Sequence, residues 1–230
     1  MRKLSFIGRG SAFNVDEINT SAYIMEGNEI IIFDCGESVF TKLPKILNHN
    51  LDSVNIFITH LHSDHVGSLP TLIFYTWFKL NKKLNIYFRD KEDIKSVIEF
   101  QGVTEDMYNI YDASEVTIGS INIKSNNINH CKEINSYSYL LDCGTNKIYY
   151  SGDTNSLDFY KDHDILSENI ICYQDTCLLD YPNNVHCSLK RLKETIDIPY
   201  RKNIYCMHLD SKELEEQILL SGFNVVEVIK

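Results

Sequence analysis

The polar–apolar pattern changes character along the chain. Residues 4–7, 21–25 and 29–34 read as strands, and Ile30-Ile31-Ile32-Phe33 is an unbroken apolar run that fits burial on both faces. Gly36 punctuates that run, and Ser38 is placed to cap a helix over 39–47, with Pro44 as an interruption. A buried strand is expected over 54–59, a helix over 68–80, a strand over 84–88 and a helix over 91–100. The middle returns to β character. Runs at 116–118 and 121–124 flank Gly119-Ser120, a hairpin signal, and runs at 136–141 and 147–150 flank a polar turn. The last third alternates: strand 170–173, helix 189–195, strand 204–206, helix 212–220, strand 225–229. Meanders first and βα alternation later predict an α/β class of stacked sheets with helices outside, in one domain over 1–230.

Composition narrows the partners. The chain has 230 residues, 43% hydrophobic and 23% charged, which is enough to bury a large core. Lys and Arg total 22 against 32 Asp and Glu, a net charge of −10. The basic doublets Arg2-Lys3, Lys82-Lys83, Lys190-Arg191 and Arg201-Lys202 are scattered, so no cationic face for duplex DNA is expected. A short nucleic-acid end held at an active site stays open. Seven cysteines without a CxxC pair argue for free thiols in a reducing compartment. Residues 1–10 lack the apolar stretch of a signal peptide, and the apolar run at 69–78 is broken by Thr71 and Thr76. A cytoplasmic protein without a membrane span is the expectation.

The chemistry concentrates in Thr59-His60-Leu61-His62-Ser63-Asp64-His65-Val66-Gly67. Three histidines and an aspartate fall within six residues, directly after a buried strand. On an extended chain residues two apart share a side, so His60 and His62 can aim at one point. Asp64 and His65 fall where the chain turns toward the next helix and can aim at a neighbouring point. Imidazoles and carboxylates are ligands for borderline divalent metals, and crowding them without a cation would cost heavily in desolvation. Further candidates stand at the ends of other strands: His130, Asp153 after Gly152, and His208.

These residues resemble the metallo-β-lactamase-fold hydrolases. His60-Leu61-His62-Ser63-Asp64-His65 has that family's HxHxDH form, and His130, Asp153 and His208 follow in the family's order. The resemblance begins at Gly8-Arg9-Gly10-Ser11 and Asp34-Cys35-Gly36 and covers essentially the whole chain. It implies a four-layer αββα sandwich of two mixed β-sheets. It also implies that His60, His62 and His130 hold one metal, that Asp64, His65 and His208 hold a second, and that Asp153 bridges both. Two such ions about 3.5–4 Å apart share a water and lower its pKa from about 15.7 toward roughly 7. A metal-bridging hydroxide, oriented by Asp64, would then be the nucleophile. Zinc suits the imidazole-rich ligands, while manganese and iron stay open.

The segment between Asp153 and His208 narrows the reaction. Asp175-Thr176-Cys177 and His186-Cys187-Ser188 resemble the EAT-type and HST-type motifs of the ribonuclease Z-like phosphodiesterases. That resemblance makes His186 the candidate general acid and Asp175 its orienter, the proton supply that an alkoxide leaving group needs. The alternative for His186 is a helix cap before Leu189. His130 and Asp153 are only 23 positions apart, which is room for two strands and a turn but not for the long arm of transfer-RNA-processing enzymes. The expectation is therefore a phosphodiesterase for a small or single-stranded substrate, closer to the small cyclic-phosphodiesterase relatives. A carboxyl-ester, lactone or thioester hydrolase, or a non-catalytic metal-stabilised binding module, are the alternatives. A homodimer stays open. His163, between Asp162 and Asp164, reads as a surface residue, and Cys131 and Cys187 read as small buried hydrophobes.

Overall fold

The computed structural model describes residues 1–229. Six strands form the first sheet in sequential order: β1 (Ser5–Gly8), β2 (Ser21–Glu26), β3 (Glu29–Phe33), β4 (Ser53–Phe57), β5 (Leu84–Tyr87) and β6 (Tyr108–Tyr111). The second sheet runs β7 (Glu115–Ile118), β8 (Ile121–Ile128), β9 (Ser136–Asp142), β10 (Lys147–Tyr150), β11 (Ile170–Asp175), β12 (Ile204–Met207) and β13 (Asn224–Val225). Both sheets are mixed. Antiparallel pairing links β1–β2–β3 and β7–β8–β9–β10, and parallel pairing continues from β3 to β6 and from β10 to β13. Parallel neighbours need crossovers, and the helices supply them. They are α1 (Ser63–Val66) and α2 (Leu69–Leu80) between β4 and β5, α3 (Lys91–Glu99), α4 (Phe159–Asp162), α5 (Leu189–Thr195), α6 (Ile198–Arg201) and α7 (Lys212–Leu220). None of these helices is long and apolar enough to cross a membrane.

The period of two sorts side chains into layers. On β10 and β11, Ile148, Tyr150, Ile171 and Tyr173 enter the core between the sheets, while Tyr149, Ile170 and Cys172 pack with Leu189, Leu192, Leu214 and Ile218 of α5 and α7. On the other side, Ile94 and Ile98 of α3 and Leu69, Leu72 and Ile73 of α2 are buried in the same continuous apolar cluster as the first sheet. The expected α/β sandwich of two sheets with outer helices is the observed fold.

The differences have local causes. The helix expected over 39–47 is two 3₁₀ turns, Val39–Thr41 and Leu43–Lys45. Pro44 has no N–H to continue an α-helical ladder, so the chain re-forms its turn at Leu43. The strand expected to reach Thr59 ends at Phe57, because the Thr59 amide turns aside to donate to Asp34 Oδ1 at 2.8 Å. Strand β6 and the single-turn helices α1, α4 and α6 have no counterpart among the expected elements. The strand expected over 225–229 pairs only at Asn224–Val225, and Val228 bridges instead to Phe6 in the first sheet.

Candidate metal centre

The chemistry-bearing residues meet where strands of both sheets end. β4 delivers His60 and His62, and α1 turns Asp64 and His65 inward within its single turn. β8 leads to His130, β10 to Asp153, β11 ends on Asp175 and β12 leads to His208. Parallel register aligns Tyr150 with Tyr173 and Tyr173 with Tyr205, so the exits of β10, β11 and β12 fall side by side. Close approach needs glycine at two places. A Cβ on Gly36 would lie 1.9 Å from the Asp64 carbonyl oxygen, and one on Gly152, whose φ is +59°, would meet the Tyr137 carbonyl at 2.7 Å. Asp34 and His208 also adopt left-handed φ of 61°, an uncommon choice for such residues, as the chain leaves β3 and β12.

All seven residues expected as ligands converge, in two halves. In one, His62 Nδ1 lies 3.0 Å from His60 Nε2 and 3.2 Å from His130 Nε2. In the other, Asp64 Oδ2 lies 3.3 Å from His65 Nε2 and 3.2 Å from His208 Nε2. Asp153 Oδ2 stands between them, 3.3 Å from His65 Nε2, 3.3 Å from His208 Nε2 and 3.9 Å from His60 Nε2. Within each half the nearest donor atoms all lie within 4.8 Å of one another.

The donor set fits divalent cations. His65 Nε2 is fully buried without a hydrogen-bond partner and faces two carboxylates, which is an expensive arrangement unless something positive satisfies it. Burial, reinforced by His65, holds His60 well below the usual imidazole range, and burial lowers His130. Both therefore offer neutral nitrogens. Burial also opposes charge on His65 and His208, yet Asp153 lifts His65 well above its ordinary value and His208 to about 10. A metal ion would displace those protons, since it needs the same lone pairs.

A second set of groups aims the ligands. Asp34, completely buried, takes His65 Nδ1 at 2.9 Å and is itself held by the Thr59 amide at 2.8 Å and the Thr59 hydroxyl at 2.9 Å. This leaves Nε2 of His65 to face the cluster, as metal-binding histidines require. The Val185 carbonyl does the same for His130 at 3.3 Å, and Asp175 Oδ1 lies 3.4 Å from His208 Nδ1. Asp34 stood in the sequence only as part of the Asp34-Cys35-Gly36 turn that begins the resemblance, with nothing there to mark it as a partner of His65.

His186 and Asp175 meet as expected, with Nδ1 to Oδ2 at 2.8 Å. The His186 ring stacks on His208 at 5.0 Å and lies tilted 5.2 Å from His130, so it borders both halves. Burial opposes its charge, but Asp175 raises its pKa above the ordinary value. The helix-cap alternative fails, because Ser188 caps α5 by accepting the Arg191 amide. His163 is elsewhere, bonded to Glu168 at 2.9 Å and stacked on Phe159. Cys187 is buried as expected, whereas Cys131 is half-buried with Sγ 3.8 Å from His62 Nε2.

Residues 2–227 match the family model described as Anti-Pycsar protein Apyc1. The chain belongs to this family. An Anti-Pycsar protein Apyc1 from Bacillus phage 010DV004 is 26% identical over 90% of this chain and 88% of its own length. A ribonuclease Z from Methanococcus maripaludis is 38% identical, but over only 44% of this chain and 33% of its own. Among solved structures, the metallo-β-lactamase fold protein YhfI from Bacillus subtilis superposes with a TM-score of 0.74 at 18% identity, over 99% of this chain and 95% of that one. The metallo-β-lactamase fold is thereby established.

Proposed function

We propose that this protein is a binuclear metal-dependent phosphodiesterase for a small phosphodiester, with a cyclic nucleotide as the leading substrate class. The observation that carries the reading is the His186–Asp175 pair at 2.8 Å, set against the two ligand clusters. Ester, thioester and lactone hydrolysis have less need for such a proton donor than the departure of an alkoxide from phosphorus. The short connection between His130 and Asp153, filled by β9, β10 and their turn, favours a small substrate over a folded RNA, as does the net charge of −10. The family match supports the same choice, since the Apyc1 relative spans the chain and the ribonuclease Z spans under half of it.

In this reading His60, His62 and His130 would hold one ion and Asp64, His65 and His208 a second, with Asp153 available to both. When bound, the ions supply charge for the phosphoryl oxygens and an activated water, with zinc suited to the imidazole donors. The remaining work belongs to side chains. Asp64 orients the attacking water. Asp175 fixes the proton of His186 on Nδ1 and steadies the imidazolium, so that Nε2–H points outward and protonates the departing oxygen as the phosphorus–oxygen bond breaks. The test is turnover of bis(4-nitrophenyl) phosphate and a panel of 3′,5′-cyclic nucleotides beside ester, thioester and lactone panels, with metal counted by elemental analysis. About two metals per chain with chelator-sensitive phosphodiester cleavage is the expected result. Two metals with ester or lactone turnover alone would overturn it.

A further inference from the structure

The loop from Cys177 to Ser188 carries His186 into the centre, and a buried asparagine organises it. Asn184 is only 6% exposed. Its side-chain amide donates to the Leu179 carbonyl at 2.9 Å and touches Cys177 Sγ at 3.1 Å, while its Oδ1 accepts the His186 backbone N–H at 3.0 Å. These contacts fix which way the amide faces. The carbonyl of Asn184 in turn accepts from Asn155 Nδ2 at 2.6 Å.

Those bonds close a ring. Asp175 Oδ2 holds the His186 imidazole at 2.8 Å and also accepts the Thr154 amide at 2.9 Å. Thr154 and Asn155 are consecutive, and they directly follow Asp153. His186 is thus gripped twice, through its ring by Asp175 and through its backbone by Asn184. Both grips are anchored on the two residues after the carboxylate that stands between the ligand halves. Asn183, at φ +63°, makes the left-handed step that brings Asn184 into the ring.

We infer that Asn184, seconded by Asn155, is a positioning residue for proton donation by His186. Neither asparagine exchanges a proton. The water oxygen forms the new bond to phosphorus, the ester bond breaks with its electron pair leaving on oxygen, and His186 Nε2 supplies the proton. The asparagines hold Nε2 where that oxygen departs, and a displacement of about 1 Å can cost on the order of 10²-fold in such a step. The inference rests on the general-acid reading of His186.

The experiment compares a 4-nitrophenyl phosphodiester, whose phenolate leaves unaided, with the unsubstituted phenyl phosphodiester, whose leaving oxygen needs the proton. Parent, His186→Ala, Asn184→Ala and Asn155→Ala are assayed for kcat on both, with metal content and Tm measured on each. The expected result is that Asn184→Ala loses about tenfold or more beyond its nitrophenyl loss on the phenyl ester, with metal content kept. Asn155→Ala moves the same way by less. His186→Ala with no leaving-group dependence would overturn the general-acid reading itself. A dependence in His186→Ala that is missing from Asn184→Ala would overturn the positioning role alone. Equal losses on both esters, or loss of metal, would make Asn184 merely structural and overturn it as well.

Discussion

The two halves of the centre are built differently. His60, His62 and His130 form an imidazole-only group, with His60 buried, His62 exposed and His130 half-buried. Asp64, His65, Asp153 and His208 mix carboxylates with imidazoles, and none is more than 6% exposed. The buried half leans on further carboxylates, Asp34 behind His65 and Asp175 behind His208, while the open half has a backbone carbonyl behind His130 and a thiol near His62. The difference teaches where rigidity lies. Buried charge is costly unless it is paired, so the carboxylate half is held by Asp34 and Asp175 and still leaves His65 Nε2 for a cation to answer. The imidazole half carries no such obligation and can face solvent and substrate.

The strongest way to break the contrast is Asp153→Ala, which removes the carboxylate reaching toward both halves. Turnover is expected to fall by about 10³-fold or more, because charge stabilisation at the reacting oxygens is lost with the ions. Elemental analysis should show metal missing from both halves, and a variant that kept two metals would deny Asp153 its shared place. Next comes Asp34→Asn, which touches only the buried half. The Thr59 amide holds the side-chain oxygen, so the new NH₂ faces His65 Nδ1 and drives the ring proton to Nε2, where no metal can bind. Metal affinity of one ion should weaken roughly 10–100-fold. Calorimetric titration showing both ions equally affected would dissolve the distinction between the halves.

A chelator should sharpen it. The half-exposed imidazole group is expected to release its ion first, giving two kinetic phases of metal loss under a stopped-flow indicator. A single phase for both ions would contradict this. The smallest effect lies outside the centre, at Glu26. Hydrogen bonds from Ser120, joined by Arg2 at 2.6 Å, hold its pKa down from 4.5 to about 2. A depressed carboxylate contributes stability above its unfolded value and loses it as pH falls through its folded value. The Tm gap between parent and Glu26→Gln should therefore be full at pH 7 and shrink between pH 4.5 and 2. A gap that widened on acidification would reverse the assignment.

The site was legible in proportion to its locality. His60, His62, Asp64 and His65 could be read as a metal loop because they lie within six residues after an apolar run, where chain geometry alone limits their aim. His130, Asp153 and His208 were legible through strand-end placement and family order. His186 and Asp175 were legible as motifs, but their 2.8 Å contact was not. Asp34 was visible only within the Asp34-Cys35-Gly36 turn and its role was not, and Asn184 gave no signal, since one asparagine looks like another wherever it stands. Pro44 was visible as an interruption, and its backbone effect explains why two short turns replaced the expected helix.

The sequence by itself determined the layers and the metal loop. Alternation with a period of two puts Tyr149 and Tyr150 on opposite faces of β10, and consecutive ligands are tied by the chain that carries them. Only the tertiary structure decided which carboxylate serves which histidine. Asp34 reaches His65 across 31 residues, and Asp64 meets His208 across 144. Such pairings depend on parallel register and on where the two sheets close over one another. The division into an open imidazole half and a buried carboxylate half is likewise a property of burial, which no stretch of chain carries alone.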